Sequence, residues 1–174
     1  AQKMIEQAAA AGADAVKFQT FIPEHISGGD QARLERLKSF KFSHEQFTKL
    51  SLIAQKMGLI FFSTPFDIES AKFLNTIQPV FKVASGDNNF YPLIETIAGF
   101  GKPMIISTGS ADLDSVKKIY KSIIKNSKNK GLNPSLAFLH CVSSYPVPDN
   151  EANLASIIYL KKFFSNLEIG YSDH

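Results

Sequence analysis

The sequence predicts an α/β fold of the TIM-type (β/α)8 barrel, present from about its first helix to its seventh strand. Three observations carry this. Short apolar runs recur six times, at residues 16–20, 59–64, 80–84, 104–108, 136–142 and 167–171, and each opens into Ser, Thr, Lys, Asp or His. The five connections between them are each long enough for a crossover helix, the signature of parallel strand pairing. No glycine-rich phosphate fingerprint follows any strand, and polar residues close every strand rather than one switch point, which favours a barrel over an open doubly wound sheet. A complete barrel needs ~250 residues. With 174 residues the chain is expected to form one partial barrel domain over 1–174, lacking strands 1 and 8. Two open sheet edges would follow, and the isolated chain is expected to be inactive.

Composition narrows the class further. The chain is 44% hydrophobic, enough for a core, and holds no low-complexity segment. Its apolar stretches fall short of the ~20 residues of a membrane span, and its first residues read as a helix rather than a secretory signal. Cys141 is the single cysteine, so no intrachain disulfide framework exists. A cytoplasmic location is the expectation. Net charge is +3, from 19 basic and 16 acidic residues, and no basic and aromatic interleaving marks a nucleic-acid platform. Neither nucleic acid nor membrane is expected as a partner.

The elements follow in order. Residues 2–11 are alanine-rich and helical, with Gly12 as the stop. In the first strand, alternation puts Ala15, Lys17 and Gln19 on one face and Val16, Phe18 and Thr20 on the other. Residues 21–42 show no clear period and contain Pro23 and Gly28-Gly29, with a short helix near 31–38, so they read as a long binding loop. Ser43-His44-Glu45-Gln46 fits a capping box, and Phe47, Leu50, Ile53 and Ala54 form the stripe behind it. His25 and His44 read as solvent or capping residues. Gly58 ends that helix, and the second strand closes on Ser63-Thr64-Pro65, with Asp67 capping the next helix. The third strand carries Lys82 and turns at Ser85-Gly86-Asp87. A helix starts near Pro92, the fourth strand ends in Ser107-Thr108-Gly109-Ser110, and Leu113, Val116, Ile119, Tyr120, Ile123 and Ile124 give a strong helical stripe. The fifth strand closes on Ser143-Ser144-Tyr145-Pro146. Asn153 is expected to cap a helix over 154–164, before the last strand and Ser172-Asp173-His174.

Parallel strands expose their carboxyl ends on one side, so these polar residues are expected to converge. Lys17 and Lys82, with Ser63, Thr64, Ser85 and Ser107, would offer two cations and several hydroxyl donors to a doubly anionic ligand. A lysine nucleophile forming a Schiff base, as in aldolases, fits the same residue types. His140 and Cys141 are adjacent in a strand and point to opposite faces, so they cannot readily grip one metal ion. If Ser143 and Tyr145 face the centre, Cys141 does too, and His140 faces the helix layer as a structural residue. His174 shares a face with Ser172 at a strand terminus, where a catalytic or metal-binding group belongs.

Taken together, Lys17-Phe18-Gln19-Thr20, Phe62-Ser63-Thr64-Pro65-Phe66, Lys82-Val83-Ala84-Ser85-Gly86-Asp87, Ile106-Ser107-Thr108-Gly109, His140-Cys141-Val142-Ser143-Ser144-Tyr145-Pro146 and Ser172-Asp173-His174 resemble, in order, the motifs of the sialic acid synthase family. That family includes N-acetylneuraminate, legionaminate and spore-coat polysaccharide synthases. The resemblance implies a TIM barrel that condenses phosphoenolpyruvate with the open-chain aldehyde of an N-acylated hexosamine, releasing phosphate and forming a nine-carbon 2-keto sugar acid. It implies that Lys17 and Lys82 bind phosphoenolpyruvate, that Ser85, Ser107 and the Ser63-Thr64 hydroxyls contact its phosphate, and that Gln19 and Tyr145 lie near the sugar. Ser143 and Ser172 are expected among the substrate contacts, and Lys82, Asp87 and His174 carry the catalytic roles. His174 matches the first of two histidines that hold a divalent cation, Mn2+ or Mg2+, which would polarise the aldehyde.

Two departures stand out. Asp87 replaces the family's glutamate, one methylene longer, and Ser143 replaces an asparagine two residues before the tyrosine. The Val-Ser-Ser-Tyr form is more like the legionaminate or spore-coat branches, which leaves the hexosamine open between N-acetylmannosamine and a 6-deoxy diacetamido analogue. The resemblance also implies a carboxyl-terminal antifreeze-like domain outside this chain and a homodimer of the full-length protein. Two other readings stay open, a Schiff-base aldolase on the same barrel and a noncatalytic sugar-phosphate binding paralogue.

Overall fold

A computed structural model describes residues 1–174. The chain is α/β throughout, with six strands and every strand pair parallel. It forms two compact units, Ala1–Pro79 and Val80–His174.

In the first unit, α1 (Gln2–Ala10) stops where Gly12 takes φ 80°, a conformation glycine adopts without a Cβ clash. β1 (Ala15–Thr20) follows. The long segment after it is mostly helical rather than an open loop. It contains α2 (Pro23–Ile26) and α3 (Gln31–Phe40), whose start is fixed by Asp30 accepting from Arg33 N–H at 3.0 Å. The helix expected near 31–38 is present as α3 and ends two residues later; α3 buries no residue, so no apolar stripe marks its end. α4 (His44–Lys56) begins with the expected capping box: Gln46 N–H donates to Ser43 Oγ at 3.2 Å, and Ser43 N–H to Gln46 Oε1 at 2.7 Å. Replacing Ser43 by alanine is expected to lower unfolding free energy by about 1 kcal/mol, read from chemical denaturation. His44 lies flat on Phe73, ring centroids 3.7 Å apart.

β2 (Ile60–Pro65) pairs with β1, and Asp67 caps α5 (Ile68–Leu74) by accepting from Ser70 N–H at 2.7 Å. The same carboxylate accepts from Ile22 N–H at 2.8 Å, tying the end of β1 to the start of α5. The core of this unit joins Ile5, Phe47, Leu50, Ala54, Leu59 and Phe61, with Val16 and Phe18 packed against it. Phe18 stacks on Phe61 at 5.5 Å. Val16, Phe18 and Thr20 therefore face the core, and Lys17 and Gln19 face away from it.

In the second unit, β3 (Phe81–Val83), β4 (Met104–Ser107), β5 (Leu136–Cys141) and β6 (Glu168–Ser172) pair in sequence order. A 3-10 turn over Ser85–Asp87 leads from β3 to α6 (Tyr91–Ala98). α7 (Leu113–Asn129) buries Val116, Ile119 and Ile123 of the expected stripe. α8 (Ala155–Phe163) precedes β6, and its start differs from expectation. Asn153 does not cap it: its backbone has φ 50° and its Nδ2 donates back to Glu151 O at 2.9 Å, leaving Leu154 as an N-cap without a side-chain bond. Phe81, Val83, Met104, Ile106, Leu136 and Phe138 are buried and lie in register across the sheet, so they form its helix-facing layer. Lys82, Ser107 and Cys141 belong to the opposite face. No helix is long and apolar enough to cross a membrane.

Candidate functional site

The opposite face of the second sheet gathers most of the residues singled out from the sequence. Lys82 is 7% exposed, held there by its flanking core residues Phe81 and Val83. Its Nζ donates to Ser107 Oγ at 2.7 Å and to the Val83 carbonyl at 2.9 Å. A buried ammonium needs such acceptors. Ser107 is the last residue of β4, so the cation and hydroxyl meet at the carboxyl ends of neighbouring strands.

Next to this pair the loop after β4 enters the site. Gly109 N–H donates to Ser85 Oγ at 3.1 Å, and Asn88 Nδ2 donates to the Gly109 carbonyl at 3.0 Å. Gly109 has no room for a side chain: a Cβ there would lie 2.7 Å from Ser85 Oγ, 2.9 Å from Ser143 Oγ and 3.1 Å from Cys141 Sγ. Ser85 Oγ and Cys141 Sγ are 3.4 Å apart. Cys141 Sγ is 3.6 Å from His174 Nε2, and that nitrogen is 3.1 Å from Tyr145 Oη. Ser143 Oγ meets Ser110 Oγ at 3.0 Å. Ser172 registers with Cys141 on the same face. Ser85, Ser107, Ser143, Tyr145, Ser172, His174 and Lys82 thus all belong to this strand-end region.

Asp87 closes the turn after β3. Burial pushes its carboxyl pKa above the ordinary carboxylate value, and its Oδ2 is buried without a hydrogen-bond partner. Because the folded chain holds this proton more tightly than the unfolded chain, stability falls as pH rises through the interval between the two pKa values. Asp87→Asn is therefore expected to raise the unfolding temperature at neutral pH. That gain should vanish once the pH drops below the ordinary carboxylate value, as thermal melts across pH will read.

In the first unit, Lys17 and Gln19 share a face with Phe62 and Thr64, their register partners. Removal of water from around Lys17 lowers its pKa below the ordinary lysine value. Ser63 corrects the expectation of a joint Ser63-Thr64 contact. Strand alternation turns it to the core side, where its Oγ bonds Thr20 Oγ1 at 2.7 Å, and it has no exposed surface. Its backbone N–H donates to Gln78 Oε1 at 2.7 Å and its carbonyl accepts from Gln78 Nε2 at 3.3 Å, so a buried amide side chain serves this strand edge as a neighbouring strand would. His140 faces the helix layer, as alternation predicts, with Nε2 2.8 Å from the Ala152 carbonyl. Three residues of the site, Gly109, Asn88 and Ser110, were not singled out from the sequence. The Ser-Thr-Gly-Ser run was the only signal for two of them, and Asn88 had none.

The NeuB family pattern matches residues 4–174. The chain belongs to the NeuB family. It is 40% identical over 174 residues to the uncharacterized protein MJ1065 of Methanocaldococcus jannaschii, covering 99% of this chain and 50% of that protein. It is 35% identical over 190 residues to mouse N-acetylneuraminate-9-phosphate synthase, covering 100% of this chain and 51% of that one. The crystal structure of the N-acetylneuraminic acid synthetase of Leptospira borgpetersenii superimposes with a TM-score of 0.91 at 34% identity, over 99% of this chain and 59% of that one. The chain thus spans about half the length of the curated NeuB relatives it matches.

No group of three His, Cys, Asp or Glu side chains stands where it could hold a metal ion. His174 with Cys141 falls short of the donor set a divalent cation requires. The residues present do not by themselves fit a metal site.

Proposed function

We propose that the whole protein condenses phosphoenolpyruvate with an N-acylated hexosamine to give a nine-carbon 2-keto sugar acid and phosphate. The observation that carries this reading is the buried Lys82–Ser107 pair at the strand ends of a NeuB chain. A cation held rigidly away from water binds an anionic group far more strongly than one in solvent. In this reading the enol methylene carbon bonds to the acceptor's aldehyde carbon, whose oxygen takes a proton; water adds at the phosphate-bearing carbon and loses its protons as the bond from that carbon to the phosphate oxygen breaks, leaving the ketone and phosphate. Lys82 and the Ser85 and Ser107 hydroxyls hold the anionic substrate. Lys17, Gln19 and Thr64 enter as further substrate contacts on the strength of the resemblance. Ser63 does not enter, since its hydroxyl is committed to Thr20.

Asp87, whose carboxyl holds its proton more tightly than an ordinary carboxylate because it is buried, is the candidate to exchange a proton with an acceptor oxygen. Tyr145 and His174, joined through the phenol and Nε2, orient the sugar end. His174 is kept as a single candidate ligand for Mn2+ or Mg2+, since one imidazole falls short of a divalent cation's donor set. The (β/α)8 barrel and the homodimer belong to the same proposal, the barrel supported by parallel pairing in both sheets.

The test is phosphate release by the whole protein, given phosphoenolpyruvate and manganese, with N-acetylmannosamine or its 6-deoxy diacetamido analogue. Release that depends on one sugar supports the reading and names the acceptor. Phosphoenolpyruvate binding without release for any sugar would favour a noncatalytic paralogue, and borohydride trapping of a substrate carbonyl on Lys17 or Lys82 would favour an aldolase.

A further inference from the structure

The loop joining β4 to α7 holds one residue in a conformation its type does not favour. Ala111 N–H donates to the Thr108 carbonyl at 3.1 Å, closing a turn whose third residue, Ser110, has φ 61°. The third position of a type II turn suits glycine or asparagine, and a serine there bears the steric cost of its Cβ. Such an outlier persists where its surroundings hold it, and it points towards function. Here the preceding residue is pinned from two sides, by Asn88 Nδ2 on its carbonyl and Ser85 Oγ on its N–H. Ser110 is thereby fixed with its Oγ 3.0 Å from Ser143 Oγ.

We propose that Ser110, paired with Ser143, binds a neutral hydroxyl or amide group of the acceptor sugar and is a specificity-determining residue. The proposal rests on the condensation reading above. Ser110 and Ser143 are exposed, as is Tyr145 at 75%, whereas Lys82 is 7% exposed. The Lys82 cation therefore lies deep and these two hydroxyls lie at the rim. Two serine hydroxyls offer two donors and four acceptor sites, and the bond between them consumes one of each. One donor and several acceptor sites remain for a ligand, and a hydroxyl or amide, which both donates and accepts, uses both kinds.

Two variants separate the hydroxyl from the backbone effect. Ser110→Gly removes the hydroxyl and relieves the turn; Ser110→Ala removes the hydroxyl and keeps the Cβ. Steady-state phosphate release by the whole protein is expected to show the acceptor KM raised about tenfold in both, as for loss of one hydrogen bond. The phosphoenolpyruvate KM should move far less, and the glycine variant should unfold at the higher temperature. An acceptor KM unchanged in both variants overturns the proposal, as does a rise confined to phosphoenolpyruvate. A wild-type protein that releases no phosphate with either acceptor overturns the condensation reading itself, and this inference with it.

Discussion

Replacing Lys82 by methionine is expected to lower phosphate release by about 10²–10³-fold while leaving the unfolding temperature unchanged or higher. The two halves have one cause. Lys82 sits in the middle of a three-residue strand whose other members, Phe81 and Val83, are fully or almost fully buried. An ammonium there has given up water, and two of its acceptors, Ser107 Oγ and the Val83 carbonyl, are neutral. Methionine fills a similar volume without that desolvation cost, so the folded state loses little. Ser107 loses a donor, but its hydroxyl rotates freely and its carbonyl is still met by Asn88 Nδ2 at 3.5 Å. The reaction, by contrast, loses the cation opposite a leaving phosphate. Lys82→Arg should not restore it, because a planar fork cannot occupy the space of a point charge between two strands. Thermal unfolding with calorimetric titration of phosphoenolpyruvate checks both halves. Retained affinity and turnover in Lys82→Met would remove Lys82 from the site.

Residue pattern made much of this arrangement legible, and the reason is local. A strand of period two fixes which neighbours share a face, so sequence alternation alone sends His140 to the helix layer and Cys141 to the other side. The capping box at Ser43 and the cap at Asp67 were legible for the same reason, since each joins residues only three positions apart. What stayed hidden depends on contacts between distant segments. Ser63 and Thr64 look equivalent in sequence, yet Gln78, fifteen positions on, and Thr20, forty-three positions back, claim Ser63 for the core. Asn88 reads as an ordinary turn residue. Only the fold brings its amide to the carbonyls of Ser107 and Gly109, more than nineteen positions away at the second of these. Asn153 was misread because a cap and a left-handed turn favour the same residue type. α3 was legible near 31–38, but its last two residues were not, because an exposed helix carries no stripe to mark its end.

Gly109→Ala is expected to cost about 1–3 kcal/mol of stability, the range of overpacking a filled site, and to lower turnover by about 10²-fold, as for loss of one positioned donor. The cost is one of space alone, because Gly109 does not adopt a positive φ. A single added methyl would stand 2.7 Å from Ser85 Oγ and 2.9 Å from Ser143 Oγ, closer than van der Waals contact permits. Both hydroxyls, or the loop, must then move. If Ser85 rotates away, Gly109 N–H loses the acceptor that fixes it at 3.1 Å; if the loop moves, Asn88 loses its carbonyl. Either displacement reaches Cys141, 3.4 Å from Ser85, and through it the His174 imidazole. Combining the change with Ser85→Ala separates these routes. Removing Ser85 Oγ opens the tightest contact, so the double variant should recover stability relative to the sum of the single variants, with a coupling of about 0.5–3 kcal/mol. Turnover should not recover, since the Ser85 hydroxyl itself is gone. Additive stabilities in the cycle would show that the loop, rather than Ser85, gives way. A Gly109→Ala protein with wild-type stability and turnover would mean that the close approach of this loop to Ser85, Ser143 and Cys141 has no part in holding the site.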